Sequence, residues 1–252
     1  MTYTQGAYQG IVAHTYDIWF SGDHFFDTDF FRKLMEEVPG AALEVGCGTG
    51  RLLIPYMDEG YNVDGVDCSE EMLTLCKNKA AEKGIVPFLY HQFVQDLRLD
   101  KTYKTIFIPL ASFMCITNRE EAFRALENIF HHLDHLGQVI IPLFIPPNVN
   151  IKEWTVKRRG VREDGDEIIV SSISSVHFHE QVQTILDRYE VIKDGHLVDT
   201  IFSSSKLRWY YKYEFSMMLE KVGFHDISIY GGYNFQPLND DQTFMIFRAR
   251  KK

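Results

Sequence analysis

Short apolar runs alternate with amphipathic segments along the first 150 residues of the chain. The apolar runs predict five strands, at residues 41–45, 61–67, 87–93, 105–110 and 138–145. Apolar residues also recur at helical spacing, most clearly in residues 119–133, and the aromatic-rich segment 9–38 is predicted to be helical. Such an alternation of short apolar strands and amphipathic helices predicts a parallel sheet that is covered on both faces.

The pattern changes in the second half of the chain. From about residue 153 to residue 207 no helical stripe occurs, and extended segments are joined by Asp164-Gly165 and Asp194-Gly195, which are strong hairpin signals. The α/β pattern then resumes with a helix at residues 212–222 and strands at 225–230 and 243–250. We therefore predict one α/β domain made of residues 1–150 and 208–252, with residues 151–207 inserted as an antiparallel β lid.

Composition and charge narrow the class of protein. The chain has 252 residues, of which 45% are apolar and 24% charged, as is ordinary for a globular domain of this size. The net charge of -9 weakens the case for a nucleic-acid partner. One basic stretch contains Lys157, Arg158, Arg159 and Arg162. A solvated strand face is the simpler interpretation of these four residues.

Cysteine usage and hydropathy bear on location. The four cysteines form no C-x-x-C pair, so neither a zinc site nor a redox dithiol is indicated, and a reducing compartment is expected. No apolar run reaches the roughly 20 residues that a membrane span needs, and the first 16 residues lack the apolar centre of a signal peptide. We therefore expect a cytoplasmic protein with no membrane partner. A monomer and a homodimer both stay open.

The segment from Leu43 to Gly50 carries the most chemical information. An apolar strand ends there in a turn with Gly46, Gly48 and Gly50, and a helix follows. Such turns let a ligand approach the backbone closely and direct free N–H groups at it. A dinucleotide site would require glycine at position 51, which is Arg51. The acid at Glu44 suits a ligand with a cationic amino-acid tail, and S-adenosylmethionine is such a ligand.

Here the sequence resembles the class I S-adenosylmethionine-dependent methyltransferases, whose first motif reads acid-x-Gly-x-Gly-x-Gly and matches Glu44 to Gly50. The resemblance implies a Rossmann-like fold with a seven-stranded, mostly parallel sheet. It places Asp67 on the ribose hydroxyls, Cys68 and Met72 on one adenine face, and Asp96 near the adenine amino group. The full set of implied cofactor contacts is Tyr16, Glu44, Gly46, Cys47, Gly48, Gly50, Asp67, Cys68, Met72, Asp96, Leu97 and Leu110.

The acceptor side is less defined by the sequence. The inserted sheet resembles the substrate lid of small-molecule family members, which include enzymes that methylate sugar amines. Trp154, Arg208 and Tyr210 are candidate acceptor contacts, with packing at the joint between lid and core as the alternative. No catalytic general base is identified. His131 and His135 are four residues apart, but no nearby acid or cysteine completes a ligand set, so no metal is expected.

These observations predict in-line transfer of a methyl group from S-adenosylmethionine to a nitrogen or oxygen atom of a small molecule. Two alternatives stay open. One is a methyltransferase of protein or RNA, supported by the basic stretch alone. The other is a module that binds the cofactor without catalysis. A nicotinamide-dependent oxidoreductase is disfavoured by Arg51.

Overall fold

The computed structural model describes residues 8–20 and 26–252. In chain order its helices and strands are α1 Ile11–Phe20, α2 Thr28–Glu37, β1 Ala42–Val45, α3 Leu53–Asp58, β2 Val63–Asp67, α4 Glu70–Glu82, β3 Leu89–His91, β4 Tyr103–Phe107, α5 Arg119–His132, β5 Leu133–Phe144, β6 Ile151–Val161, β7 Glu167–His177, β8 Val182–Lys193, β9 His196–Arg208, α6 Lys212–Val222, β10 His225–Tyr230 and β11 Phe244–Arg250.

The larger sheet has seven strands in the order β10-β11-β5-β4-β1-β2-β3. The pairs from β5 to β3 are parallel, whereas β11 runs antiparallel to both β5 and β10. Strand β1 has β2 on one side and β4 on the other, so the chain order switches direction at its carboxyl end. Open α/β sheets bind ligands in the crevice at such a switch point. The predicted fold class is confirmed.

Burial explains why the central strands read as continuous apolar runs. All four residues of β1 are buried. The paired residues Ile106 and Val139, and Phe107 and Ile140, of β4 and β5 are buried as well. Helices cover both faces of this part of the sheet, as two separate apolar clusters show. A parallel sheet of this kind has no solvated face, so its strands lack polar alternation.

The second sheet has four antiparallel strands in the order β6-β7-β8-β9 and lies between Ile151 and Arg208. The turn from β8 to β9 has φ of 50° at Asp194 and 76° at Gly195. Two successive residues with positive φ are typical of the tight hairpin turn that Asp-Gly favours. The second sheet is called the lid below.

The segment predicted to be helical from residue 9 to 38 contains two helices, α1 and α2, with residues 21–25 outside the described part. Helix α1 packs between the lid and the core. Toward the lid, Ile11, Val12, Ile18 and Trp19 join the apolar cluster of Ile168, Val170, Tyr189 and Val191. Toward the core, the Asp17 carboxylate accepts a hydrogen bond of 2.6 Å from the Thr49 hydroxyl and pairs with Lys79 at 2.8 Å.

Several strand boundaries differ from those predicted from the sequence. Strand β3 is shorter than predicted, at Leu89–His91, and β5 begins five residues earlier, at Leu133. The loop after β4 contains a 3-10 turn at Pro109–Cys115, in which Leu110 and Ala111 have positive φ. No helix in residues 8–20 or 26–252 is long and apolar enough to cross a membrane.

The contact between α1 and the lid depends on a residue without a side chain, Gly160 in β6. A Cβ atom there would contact Ile18 and would lie 2.9 Å from Cζ3 of Trp19. We expect Gly160→Ala to lower the free energy of unfolding by about 1–3 kcal/mol, because overpacking forces α1 away from the sheet. Denaturant titration measures this change.

Gly232→Ala is the matched control, because a Cβ atom at Gly232 would come no closer than 3.7 Å to another side chain. Equal stability of the two variants would contradict the close packing of α1 on β6.

Candidate functional site

The turn after β1 is held in place by β2. The N–H groups of Gly46 and Cys47 donate to the carbonyl oxygen of Val66 at 2.7 and 3.2 Å. Gly46, Gly48 and Gly50 have φ of 73°, 53° and 83°, a region that residues with a Cβ atom rarely adopt. The turn can form because each of the three positions that require positive φ is a glycine.

The Asp67 carboxylate ends β2 beside this turn. Oδ2 accepts a hydrogen bond of 2.9 Å from the Gly48 N–H, and Oδ1 accepts one of 2.8 Å from the Ser69 N–H. Burial raises its pKa, and these backbone N–H groups oppose that shift. Two fixed N–H donors orient the carboxylate, and each of its oxygens has more than one acceptor position, so it can also accept from a ligand diol.

Glu44 lies behind the glycine turn. Its side chain is buried, and Oε2 has no hydrogen-bond partner in the described part of the chain. Burial raises the pKa of its carboxyl group to about 8, an effect that the nearby Arg51 guanidinium opposes. Arg51 is itself paired with the fully buried Asp27 through two hydrogen bonds of 2.8 and 2.7 Å. The turn thus rests on a buried group of three charged or titratable side chains.

A cavity of about 700 Å³ opens in front of the turn. Helix α1, the turn, the ends of β2 and β3, the loop after β4 and the lid all contribute to its wall. The volume suits a small molecule and lies within the range of ordinary ligand pockets. The cavity joins the switch point of the large sheet to the lid in one space.

Seven of the predicted cofactor contacts lie on this wall: Tyr16, Gly46, Gly48, Asp67, Cys68, Met72 and Leu110. Five do not. Glu44 and Cys47 are buried beneath the turn, and Leu97 is buried in the core. Gly50 serves packing, since a Cβ atom there would lie 2.7 Å from Sγ of Cys76. The Asp96 side chain is 63% exposed and lies 3.7 Å from Arg124.

The three candidate acceptor residues lie off the wall. The Trp154 ring contacts Phe202, at 5.9 Å between ring centroids, and the Arg188 guanidinium. Arg208 donates from Nε to the carbonyl oxygen of Thr117 at 2.6 Å. Tyr210 is buried against Phe113 and Phe215. Arg208 and Tyr210 therefore lie where the lid returns to the core. Their contacts fit the alternative given above, packing at the joint between lid and core.

Sequence reasoning missed the residues that the lid places on the wall. They include Arg158, Ile185, Asp187, Tyr189, Ser203 and Ser205. Alternation along a strand puts residues two apart on the same face, and this set follows that period in β8 and β9. The missing information was the register of the hairpin, which the turn at Asp194-Gly195 begins and an irregularity between Val191 and Ile192 shifts by one residue.

The histidines near the end of α5 include one with a defined structural role. Nε2 of His132 accepts from the Leu99 N–H at 2.9 Å, so its Nδ1 carries the proton and donates to the Asn128 carbonyl at 2.7 Å. The described ranges contain no group of three or more His, Cys, Asp or Glu side chains that could hold a metal ion.

Comparison with known proteins agrees with this geometry. Residues 42–137 match the family model described as a methyltransferase domain. A putative methyltransferase, YqeM of Bacillus subtilis (strain 168), is 21% identical over 245 residues, which are 97% of this chain and 94% of the relative. The dTDP-3-amino-3,6-dideoxy-alpha-D-glucopyranose N,N-dimethyltransferase of Streptomyces fradiae is 26% identical over 151 residues, covering 57% of this chain and 58% of that enzyme.

Among solved structures, an S-adenosylmethionine-dependent methyltransferase from Clostridium acetobutylicum ATCC 824 superposes with a TM-score of 0.80 at 18% identity, covering 95% of this chain and 97% of the other. Residues 42–137 thus match a methyltransferase domain, and the chain has the fold of this solved structure. The predicted fold and the predicted methyltransferase class are confirmed.

The buried Glu44 carboxyl makes stability depend on pH in the protein without ligand. Its pKa rises from 4.5 to about 8 on folding, so between these values the folded state binds the proton that the unfolded state has lost. Stability from this group is complete at low pH and falls as pH rises. We expect the unfolding free energy of the wild type to decrease, relative to Glu44→Gln, by about 1.4 kcal/mol per pH unit between about pH 5 and about pH 8.

Denaturant titrations at several pH values measure this difference, with the exposed Glu82→Gln as control. A constant difference between wild type and Glu44→Gln over this range would mean that Glu44 is ionised in the folded protein.

Proposed function

We propose that this chain transfers the methyl group of S-adenosylmethionine to the nitrogen of an amine on a small, hydroxyl-bearing acceptor. One observation carries the proposal: a single cavity reaches from the glycine turn and Asp67 to a polar face of the lid. Cofactor and acceptor can therefore meet in a space from which α1 and the lid exclude bulk water. The volume of the cavity favours a small acceptor over a protein or an RNA.

The residues around the turn fit the cofactor. The Asp67 carboxylate supplies acceptors for the ribose diol. A cationic tail bound over the turn would favour the ionised form of Glu44, whose unpartnered Oε2 then supplies negative charge behind the turn. A Cβ atom on Gly46 would lie 3.2 Å from Ser112, and one on Gly48 would lie 3.2 Å from Met72. Side chains at these two glycines would therefore narrow the cavity at the turn.

When bound, S-adenosylmethionine supplies an electrophilic methyl group. The chain's own residues bind the two reactants and hold them in line. The orientation of Asp67 is fixed by the N–H groups of Gly48 and Ser69, and Tyr16 contributes the α1 side of the wall. Orientation of this kind accounts for a large share of the rate of a displacement reaction.

The choice of nitrogen over oxygen rests on the groups near the turn. An uncharged amine needs little acid–base assistance, whereas a hydroxyl gains from a general base. Two side chains there that could act as a base are already engaged: Asp67 accepts two backbone hydrogen bonds, and Nε2 of His91 lies 3.0 Å from the Cys68 carbonyl oxygen. The relative from Streptomyces fradiae, an N,N-dimethyltransferase of an amino sugar, supports the same choice.

The basic stretch gives little support to an RNA acceptor. Arg159 pairs with Glu167 at 3.0 Å, and Arg162 pairs with Asp166 at 2.9 Å. Arg158 faces the cavity. These positions leave no continuous basic surface for a phosphate backbone in this part of the chain. A cytoplasmic location belongs to the same proposal, because all four cysteines are free thiols.

Cofactor binding is tested first. We expect S-adenosylhomocysteine to raise the midpoint of thermal unfolding by several degrees at about 100 times its dissociation constant, and NAD to leave it unchanged. Asp67→Ala should weaken binding of S-adenosylhomocysteine by about 10- to 100-fold, because charge-assisted hydrogen bonds to the ribose are lost. Isothermal titration measures the dissociation constants, and Glu82→Ala is the control. Stabilisation by NAD alone would contradict the cofactor assignment.

Methyl transfer is tested with dTDP-3-amino-3,6-dideoxy-alpha-D-glucopyranose, its analogue with a hydroxyl in place of the amine, and a short RNA. We expect S-adenosylhomocysteine to form with the amine, and mass spectrometry to detect one or two added methyl groups. Product from the hydroxyl analogue alone would establish an O-methyltransferase. Cofactor binding without turnover on amines or alcohols would establish a non-catalytic module.

A further inference from the structure

The lid turns a polar, charged face toward the cavity. In β8 this inner face carries Ile185, Asp187 and Tyr189, and in β9 it carries Ser203 and Ser205. The register places Asp187 opposite Ser203 on one side and opposite Ser172 of β7 on the other. A lid that only excluded water would need no such charges, because an apolar face would serve.

Asp187 brings a negative charge to this face. The Ser172 hydroxyl donates a hydrogen bond to its Oδ1 atom, which orients the carboxylate. Within the described ranges, no Lys, Arg or His side chain forms an ion pair with it. A carboxylate on a cavity wall without a cationic partner favours a ligand that brings the cation or an N–H donor.

Arg158 brings a positive charge to the same cavity. Its guanidinium lies 4.9 Å from the ring centre of Phe20 and 5.9 Å from that of Trp19, both in α1. Its neighbour Arg159 forms an ion pair with Glu167, whereas Arg158 has no ion pair with a carboxylate in the part of the chain that is described. Stacking on aromatic rings holds a guanidinium while its N–H groups stay available to a carboxylate or phosphate.

The two charges are separated by the geometry of the sheet. Arg158 pairs with Val170, which pairs with Tyr189, so Arg158 lies two strands away from Asp187 and two residues further along. Standard strand spacing then puts their Cα atoms roughly 12 Å apart. Tyr189 lies on β8, two residues from Asp187 and opposite Val170, which pairs with Arg158. Burial raises the pKa of Tyr189 to about 12. The negative charge of Asp187 raises this pKa further, and the positive charge of Arg158 lowers it. A small molecule with charged groups at its two ends can span this distance.

We propose that Arg158 and Asp187 form a two-charge acceptor subsite, which selects a small molecule that carries both an amine and an anionic phosphate or carboxylate group. Asp187 accepts from the amine N–H groups, and Arg158 binds the anion. Ser203 and Ser205 lie on β9, on the side of Asp187 away from Arg158, and bind hydroxyl groups near the amine. This inference rests on the proposed N-methylation and specifies its acceptor class. Arg158 and Asp187 act in specificity, and the transfer step itself needs neither charge.

Four probes separate the two charges. We would measure binding of glucosamine 6-phosphate, glucose 6-phosphate, glucosamine and glucose to protein saturated with S-adenosylhomocysteine. For the wild type we expect glucosamine 6-phosphate to bind most tightly, with about a tenfold loss when either the amine or the phosphate is removed from the probe. Asp187→Asn should abolish the preference for the amine and keep that for the phosphate. Arg158→Gln should do the reverse.

Arg159→Gln and Glu190→Gln are matched controls, because these side chains belong to ion pairs with Glu167 and Arg188 and neither lines the cavity. Both controls should keep the two preferences of the wild type. The thermal midpoint of each variant, measured with S-adenosylhomocysteine, distinguishes lost selectivity from lost folding.

Absence of any preference among the four probes in the wild type, or preferences that persist in Asp187→Asn and Arg158→Gln, would overturn the subsite. The proposed function is tested separately, by measuring methylation of amine probes by the wild type. Methylation without charge preference overturns the subsite alone. Charge preference without methylation of any amine overturns the proposed function and leaves the subsite standing.

Discussion

The turn between β1 and α3 is the constraint on which the rest of the site depends. Two backbone N–H groups of the turn bind the Val66 carbonyl, and a third, from Gly48, binds the Asp67 carboxylate. These bonds tie the carboxyl ends of β1 and β2 together at the point where the sheet order reverses. The conformation exists only because glycine stands at positions 46, 48 and 50, and it places a fixed carboxylate beside a backbone that a ligand can approach.

Helix α1 connects the core around the turn with the lid. Asp17 binds Thr49 and Lys79 on the core side, while Ile18 and Trp19 pack on the lid. The helix therefore closes the cavity over the turn and also serves as part of the apolar interior of the lid. A four-stranded sheet with one exposed face has little core of its own, and α1 supplies the missing apolar surface.

Much of the cofactor side could be predicted from the sequence because local rules determine it. The motif from Glu44 to Gly50 is contiguous, and Asp67 follows at the end of the next strand. The acceptor side depends on register across strands that are distant along the chain. Arg158 stood out only as one of four basic residues, and Asp187 carried no local signal, since its position on the inner face depends on how β8 pairs with β7 and β9. Trp154 and Tyr210 are conspicuous in the sequence because they are aromatic, yet Tyr210 is buried in the core and Trp154 lies against Phe202 on the exposed surface of the lid.

The double role of α1 has an evolutionary consequence. The lid strands form the part of the molecule most open to change of acceptor, because their inner-face residues touch the cavity and their connections are simple turns. Yet the same face also carries the apolar residues on which α1 rests, and Gly160 shows how little room the contact leaves. Divergence toward new acceptors is therefore coupled to α1: lineages that change the lid must change this helix with it. The N-terminal helix and the inserted sheet should consequently covary among descendants, while the turn between β1 and α3 stays constant.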